Sequence, residues 1–283
     1  LRRLEEMVVI EKLNRWLKIS ERGLTLMELL ISSVLAVIVA GAGLELYLNQ
    51  HKTWIIEGQI TDMQQNGRVS IEELSNKIMM AGYRLPSGMN PIIGKNTNPD
   101  TITILYLNEN GCQAPIEHAM PQPSSELRCD GHDVSCFSLD TWAYIYDPST
   151  LTGEFFFITQ VQVASSNIQH NTMDLSKCYP QGSEVMLVNY YKYYIDNTTD
   201  PNHPKLMRMG PDMSPQVFAE DIYDLQFSYG LASGVYVDVP ATGKIVREVK
   251  ITLKARTSRQ DLQLSGYRNR LFTSSVKVRN LGM

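Results

Sequence analysis

The residues able to do chemistry are few and scattered. Glu28 is a carboxylate close to the start of a long apolar run, in RGLTLMELL. Four cysteines, Cys112, Cys129, Cys136 and Cys178, fall in the middle of the chain without a C-x-x-C pair, which argues against a zinc ribbon or a dithiol redox site. An even number outside the cytosol suggests disulfides, and the close spacing in CDGHDVSC makes Cys129 with Cys136 the first expectation, leaving Cys112 with Cys178. Asp130, His132 and Asp133 in that same segment could hold a cation, but a polar loop closed by a disulfide is the preferred reading. DNTTDPN, residues 196–202, carries oxygens suited to calcium at a spacing that departs from the EF-hand loop, so it reads as a solvated turn.

Nothing organises a nucleophile. His51, His118, His132, His170 and His203 are dispersed, and the chain has no H-E-x-x-H, no G-x-S-x-G and no glycine-rich phosphate loop. No catalytic residue, metal site or cofactor is expected, and the chain does not read as an enzyme. A formal net charge of -4 with pI near 5.8 gives no general attraction to phosphate backbones, so no nucleic-acid partner is expected. The aromatic run YYKYY at 190–194 reads as sheet packing, with Tyr191, Tyr193 and Ile195 on one side and Tyr190, Lys192 and Tyr194 on the other.

The elements around these residues fall into two regimes. From Leu29 to Leu44 the chain is uncharged and mostly apolar, and with LTLM before and ELYL after it approaches the ~20 residues that span a bilayer. Arg2, Arg3, Lys12, Arg15, Lys18 and Arg22 precede it, which keeps the amino end in the cytoplasm and sends the rest across. The helix outlives the membrane. Ile56, Ile60, Met63, Gly67, Ile71, Leu74 and Ile78 recur at helical spacing until AGYRLPSG stops it, so one helix over 25–82, about 85–90 Å long, is expected. Gly58 and Gly67 read as weak points or bends.

Beyond residue 100 the period becomes 2. TITILYL (101–107), WAYIY (142–146), EFFFITQVQV (154–163), EVMLVNYYKYYI (184–195), IYDLQFSY (222–229), IVREVKITLKA (245–255) and RLFTSSVKVR (270–279) read as strands. Val249, Ile251 and Leu253 alternate with Lys250, Thr252 and Lys254, as in a sheet with one wet face. The expected fold class is α+β: a long N-terminal helix, membrane-spanning in its first half, packed on an antiparallel sheet domain.

At its start the helix carries T-x-x-E, a capping box in which Thr25 and Glu28 satisfy free backbone donors. RGLTLMELLI also resembles the processing and assembly motif of type IV pilins and type II secretion pseudopilins. That resemblance implies a leader over 1–23, starting at Leu1 or at Met7, cut between Gly23 and Leu24 by a prepilin peptidase. Leu24 would then be N-methylated, where the family usually has phenylalanine. Glu28 would become the assembly carboxylate, able to neutralise the new terminal amine of its own or a neighbouring subunit, a group that ordinarily titrates at about 7.7–8.0. MQQNGRVSIEELSNKIMMAGY at 63–83 resembles the corresponding helix of PilW-type minor pilins, and the closing strands, with GYRNR and VRNL, resemble theirs.

The resemblance implies a type IV pilin-like fold with a transmembrane and assembly helix over 24–48, its amphipathic continuation over 49–83 and a periplasmic β-rich domain over 84–283. It implies a single-pass inner-membrane protein, cytoplasmic at its amino end, that later enters a pilus fibre at the cell surface. Its partners would be other minor pilins, the major pilin, prepilin peptidase and the inner-membrane assembly platform. The alternatives are a J-type pseudopilin of a type II secretion system and, from another class, a membrane-anchored periplasmic binding domain. Residues 84–215 resemble nothing familiar, and this subunit's specificity is expected there.

Overall fold

The computed structural model describes residues 25–107, 111–241, 245–261 and 264–279. The leader, Gly23 and Leu24 lie outside them. Helix α1 (Leu26–Met80) runs through both compact units of the chain, Leu1–Ile56 and Glu57–Met283.

In the second unit, β1 (Ile92–Lys95) and β2 (Thr101–Leu107) form a hairpin. An insert follows, made of β3 (Gln113–Pro115), β4 (Leu127–Arg128), β5 (Trp142–Asp147), β6 (Thr152–Phe157), β7 (Gln160–Gln162), β8 (Asn167–Gln169) and β9 (Glu184–Met186). The chain then returns through β10 (Val188–Asp196), β11 (Lys205–Met209), β12 (Pro215–Glu220), β13 (Ile222–Leu231), β14 (Tyr236–Val237), β15 (Val246–Arg256) and β16 (Asn269–Lys277). All pairings among the described strands are antiparallel. The order β1-β2-β10-β11-β12 makes one sheet and β14-β13-β15-β16 a second, while the insert forms its own sheets, β3-β9-β5-β6 and β4-β8-β7.

The amphipathic stripe of α1 is covered by these first two sheets. Met63, Leu74 and Ile78 are buried with Ile102, Ile104 and Tyr193 of the first and Phe227, Ile251 and Leu253 of the second. Polar clamps fix the helix on the first sheet. The Tyr193 hydroxyl donates to Glu73 Oε1 at 2.8 Å, Arg208 reaches the same oxygen at 3.5 Å, and the Lys77 ammonium lies 3.9 Å from the centre of the Tyr191 ring. Burial, reinforced by the Glu73 carboxylate, pushes the Tyr193 hydroxyl well above the usual phenol range.

Gly67 is a packing position rather than a bend. A Cβ there would lie 2.7 Å from Phe272 Cδ2 and nearer still to two other atoms of that ring, whereas one at Gly58 would meet nothing within 4 Å. The missing side chain admits the β16 ring against the helix. Next to it, Ser75 and Ser274 bring their hydroxyls to 3.4 Å.

Both faces of the first sheet are used. Ile102 and Ile104 pack toward the helix, while Leu105, Leu107 and Val188 join Tyr146 and Met186 of the insert in a separate cluster. Tyr191, Tyr193 and Ile195 fall on the helix side and Tyr190 on the insert side, as alternation requires. The outer face of the second sheet is polar. Val249, Ile251 and Leu253 are buried, and Lys254 pairs with Asp224 at 2.8 Å.

Two expected strands are each divided. EFFFITQVQV leaves its first sheet at Ile158, whose N–H bonds Thr141, and enters another at Thr159, whose N–H bonds Gln169. EVMLVNYYKYYI passes from β9 to β10 at Leu187. Met186 and Val188 on either side both face one cluster, so the period of 2 continues through the change of sheet.

Candidate assembly site

The start of α1 has the expected geometry. Thr25 N–H donates to Glu28 Oε2 at 3.1 Å, Thr25 Oγ1 donates to the same oxygen at 3.0 Å, and Glu28 N–H donates to Thr25 Oγ1 at 3.3 Å. This reciprocal pair satisfies donors that a helix start leaves free, and such caps contribute about 0.5–2 kcal/mol. Ser32 and Ser33 return their hydroxyls to the carbonyls of Glu28 and Leu30, so neither leaves an unpaired polar group on the apolar surface.

The apolar side chains that follow are exposed. Leu26 is 82% and Val37 71% accessible. Among the described residues α1 is the one helix long and apolar enough to cross a membrane, and no part of its most apolar window is buried. Each such side chain is worth about 1.5–3 kcal/mol when removed from water, so this surface requires a cover. Glu28 is thus a carboxylate at one end of an apolar rod, held by a cap, with its charge open to a cation.

The insert corrects the cysteine expectation. Cys112 is bonded to Cys136, with Cα atoms 5.7 Å apart, while Cys129 and Cys178 are free. Cys112 and Cys129 are both buried in the insert's core and Cys136 is exposed, and the fold brings Cys112 to Cys136 in place of Cys129, the nearer of the two along the chain. Burial pushes the Cys129 thiol up to about 12, which leaves almost no thiolate for exchange near neutral pH.

The bond therefore does not close CDGHDVSC, and its three cation candidates take separate partners. Asp130 pairs with His118 at 2.9 Å, His132 with Glu117 at 2.9 Å, and Asp133 accepts the Ser135 N–H at 2.8 Å. Among the described residues no group of three histidines, cysteines or carboxylates is placed to hold a metal. In DNTTDPN the Asp196 carboxylate accepts the hydroxyls and N–H groups of Thr198 and Thr199, which hold it well below the usual carboxylate range. That is a closed turn with its own carboxylate saturated.

The strongest polar network of the insert has no local sequence signal. The Lys177 ammonium donates to Asp147 Oδ2 at 2.8 Å, Thr150 Oγ1 at 2.9 Å and Thr152 Oγ1 at 3.0 Å, using all three of its protons. Burial raises the Asp147 carboxyl, but the Lys177, Ser149 and Thr150 donors outweigh it and hold the group far below its ordinary value. The network ties the β5–β6 turn to the loop before Tyr179.

No family model matches the chain, and no curated protein matches it. Among solved structures, a type IV-like pilin from Thermus thermophilus overlays with a TM-score of 0.37 at 8% identity, covering 78% of this chain and 98% of that one. The functional reading rests on the chain's own residues.

Proposed function

We propose that this chain is a minor pilin of the PilW type, a membrane-stored subunit that is processed at Gly23–Leu24, extracted, and incorporated at or near a fibre tip to prime assembly. The observation that carries the reading is the capped Glu28 at the head of an exposed apolar helix. A single-pass anchor would need only the apolar rod. A carboxylate at its end is explained by a cationic partner, and cleavage after Gly23 would create one at the Leu24 amine.

The amphipathic half of the helix supports the same reading, because it is covered by its own sheets and leaves the apolar half free to pass from lipid to neighbouring helices. The insert between β2 and β10 is the natural carrier of subunit specificity. It has a separate core and a separate disulfide, so its surface can vary without disturbing the helix-bearing sheets. Other minor pilins, the major pilin, the peptidase and the assembly platform are the partners this role requires.

Mass spectrometry of the amino-terminal peptide from cells with active prepilin peptidase tests it. A methylated Leu24 is expected, and Gly23→Arg should abolish it. An intact leader in wild type would refute the pilin reading and favour a simple anchored domain.

A further inference from the structure

Three rings follow the apolar run on one face of α1. Tyr47 and His51 lie with centroids 6.0 Å apart and planes 4° apart, and His51 and Trp54 with centroids 6.2 Å apart and planes 22° apart. Their spacing of i, i+4 and i+7 is that of a helix face. The two outer rings are open to their surroundings, Tyr47 at 62% and Trp54 at 70% accessible. Each ring joins an apolar body to a polar tip, the composition favoured where hydrocarbon meets water.

The position along the helix fits that boundary. From Leu29 to Leu48 the chain rises about 29 Å at ~1.5 Å per residue, close to the ~30 Å hydrocarbon thickness of a bilayer, with its one charged residue, Glu45, within a turn of the far boundary, where a carboxylate costs least. Glu28 then lies at one boundary and Tyr47 at the other. Tyr47 to Trp54 rises about 10 Å along the axis, somewhat more than the ~5–8 Å of headgroup on one side, and helical side chains lean toward the N-terminus, which carries the Trp54 ring back toward the hydrocarbon. Lys52 lies within the same turns, where an ammonium meets lipid phosphates.

We propose that Tyr47, His51 and Trp54 form a ring ladder that seats in the phospholipid headgroup layer on the domain's side and sets the depth at which α1 rests before extraction. This rests on the reading of α1 as a membrane-spanning helix. The ladder is a stop. Sinking deeper would place His51 and Lys52 in hydrocarbon, and rising would draw Tyr47 and the residues before it into water. Extraction into a fibre must first pull these rings free.

The test uses the full chain with Trp16→Phe and Trp142→Phe, reconstituted in phosphatidylcholine–phosphatidylglycerol vesicles and in nanodiscs of the same lipids, so that Trp54 is the reporter. Flotation with the vesicles establishes insertion independently. Blue-shifted Trp54 emission, quenched more by lipids brominated near the headgroup than by those brominated near the chain ends, is expected. Water-like emission indifferent to either lipid, in protein that floats, overturns the ladder and leaves the membrane reading standing. Stronger quenching by the deep bromines also overturns it. A blue shift seen only in discs holding several copies, and indifferent to bromine, would assign the rings to a neighbouring helix and overturn it too. Protein that fails to float defeats the membrane reading itself.

Discussion

Gly58 and Gly67 provide a matched pair on one helix. Replacing either with alanine removes the same glycine penalty, about 1 kcal/mol in a helix interior, so propensity alone makes both substitutions stabilising by that amount. The structure separates them. A methyl at Gly58 enters open space, while one at Gly67 overlaps the Phe272 ring, with Cδ2 at 2.7 Å. Phe272 is half-buried against the core that joins helix and sheet, so it can yield only by moving β16 or leaving its rotamer. Overpacking of this kind costs about 1–3 kcal/mol. Gly58→Ala should therefore stabilise by up to ~1 kcal/mol and Gly67→Ala destabilise by ~0–2 kcal/mol, a gap of about 1–3 kcal/mol between them. Urea melts of the full chain in detergent, followed by circular dichroism, measure the gap. Phe272→Leu combined with Gly67→Ala should close much of it. Equal stabilisation by both alanines would refute the account of Gly67 as the seat of Phe272.

Labelling of denatured, unreduced protein should find two thiols, Cys129 and Cys178. Replacing Cys112 and Cys136 by serine should cost about 3.5 kcal/mol by loop entropy for a bond of sequence separation 24, and zero or four reactive thiols would contradict the pairing. Asp147→Asn should destabilise the insert by roughly 1.5–3 kcal/mol at neutral pH. Because Lys177 and its neighbours depress the Asp147 carboxyl, this contribution is present above the unfolded value near 3.9 and is lost as pH falls through the folded value. Wild type and variant should therefore converge in acid melts, and a constant difference down to strongly acidic pH would refute the pairing. Asp100 acts in the opposite sense and in a different window: burial raises its carboxyl, so its contribution is lost as pH rises from the unfolded value near 3.9 through the higher folded value. Glu28→Gln keeps a capping side chain but not the charge; in cells it should be cut, inserted and folded yet fail to support piliation, and normal fibres would reduce Glu28 to a helix cap.

Local pattern carried far into this structure where one element answers to one environment. The helix, its capping box, the strand at Thr101–Leu107 and the alternation of Val249, Ile251 and Leu253 with lysines and threonine were all legible, because period and capping chemistry act within a few residues. The ladder of Tyr47, His51 and Trp54 drew no reading from the sequence, where His51 counted only as one of five dispersed histidines, because its meaning depends on where the apolar run ends. What tertiary structure alone decided was partnership over distance. The cysteine pairing followed from which of two buried thiols, Cys112 or Cys129, the fold brings to Cys136, not from spacing along the chain. EVMLVNYYKYYI kept its alternation while changing sheets, so its break left no mark in composition, whereas EFFFITQVQV slips by one residue at its break, with Phe156, Ile158 and then Val161 on the insert's core. Gly67 resembled a flaw until Phe272, more than two hundred residues later, was seen against it. Lys177 and Asp147, 30 residues apart, meet only because the insert folds on itself. Periodicity reports which face of an element is buried, whereas the identity of the neighbour depends on how distant segments close around a common core.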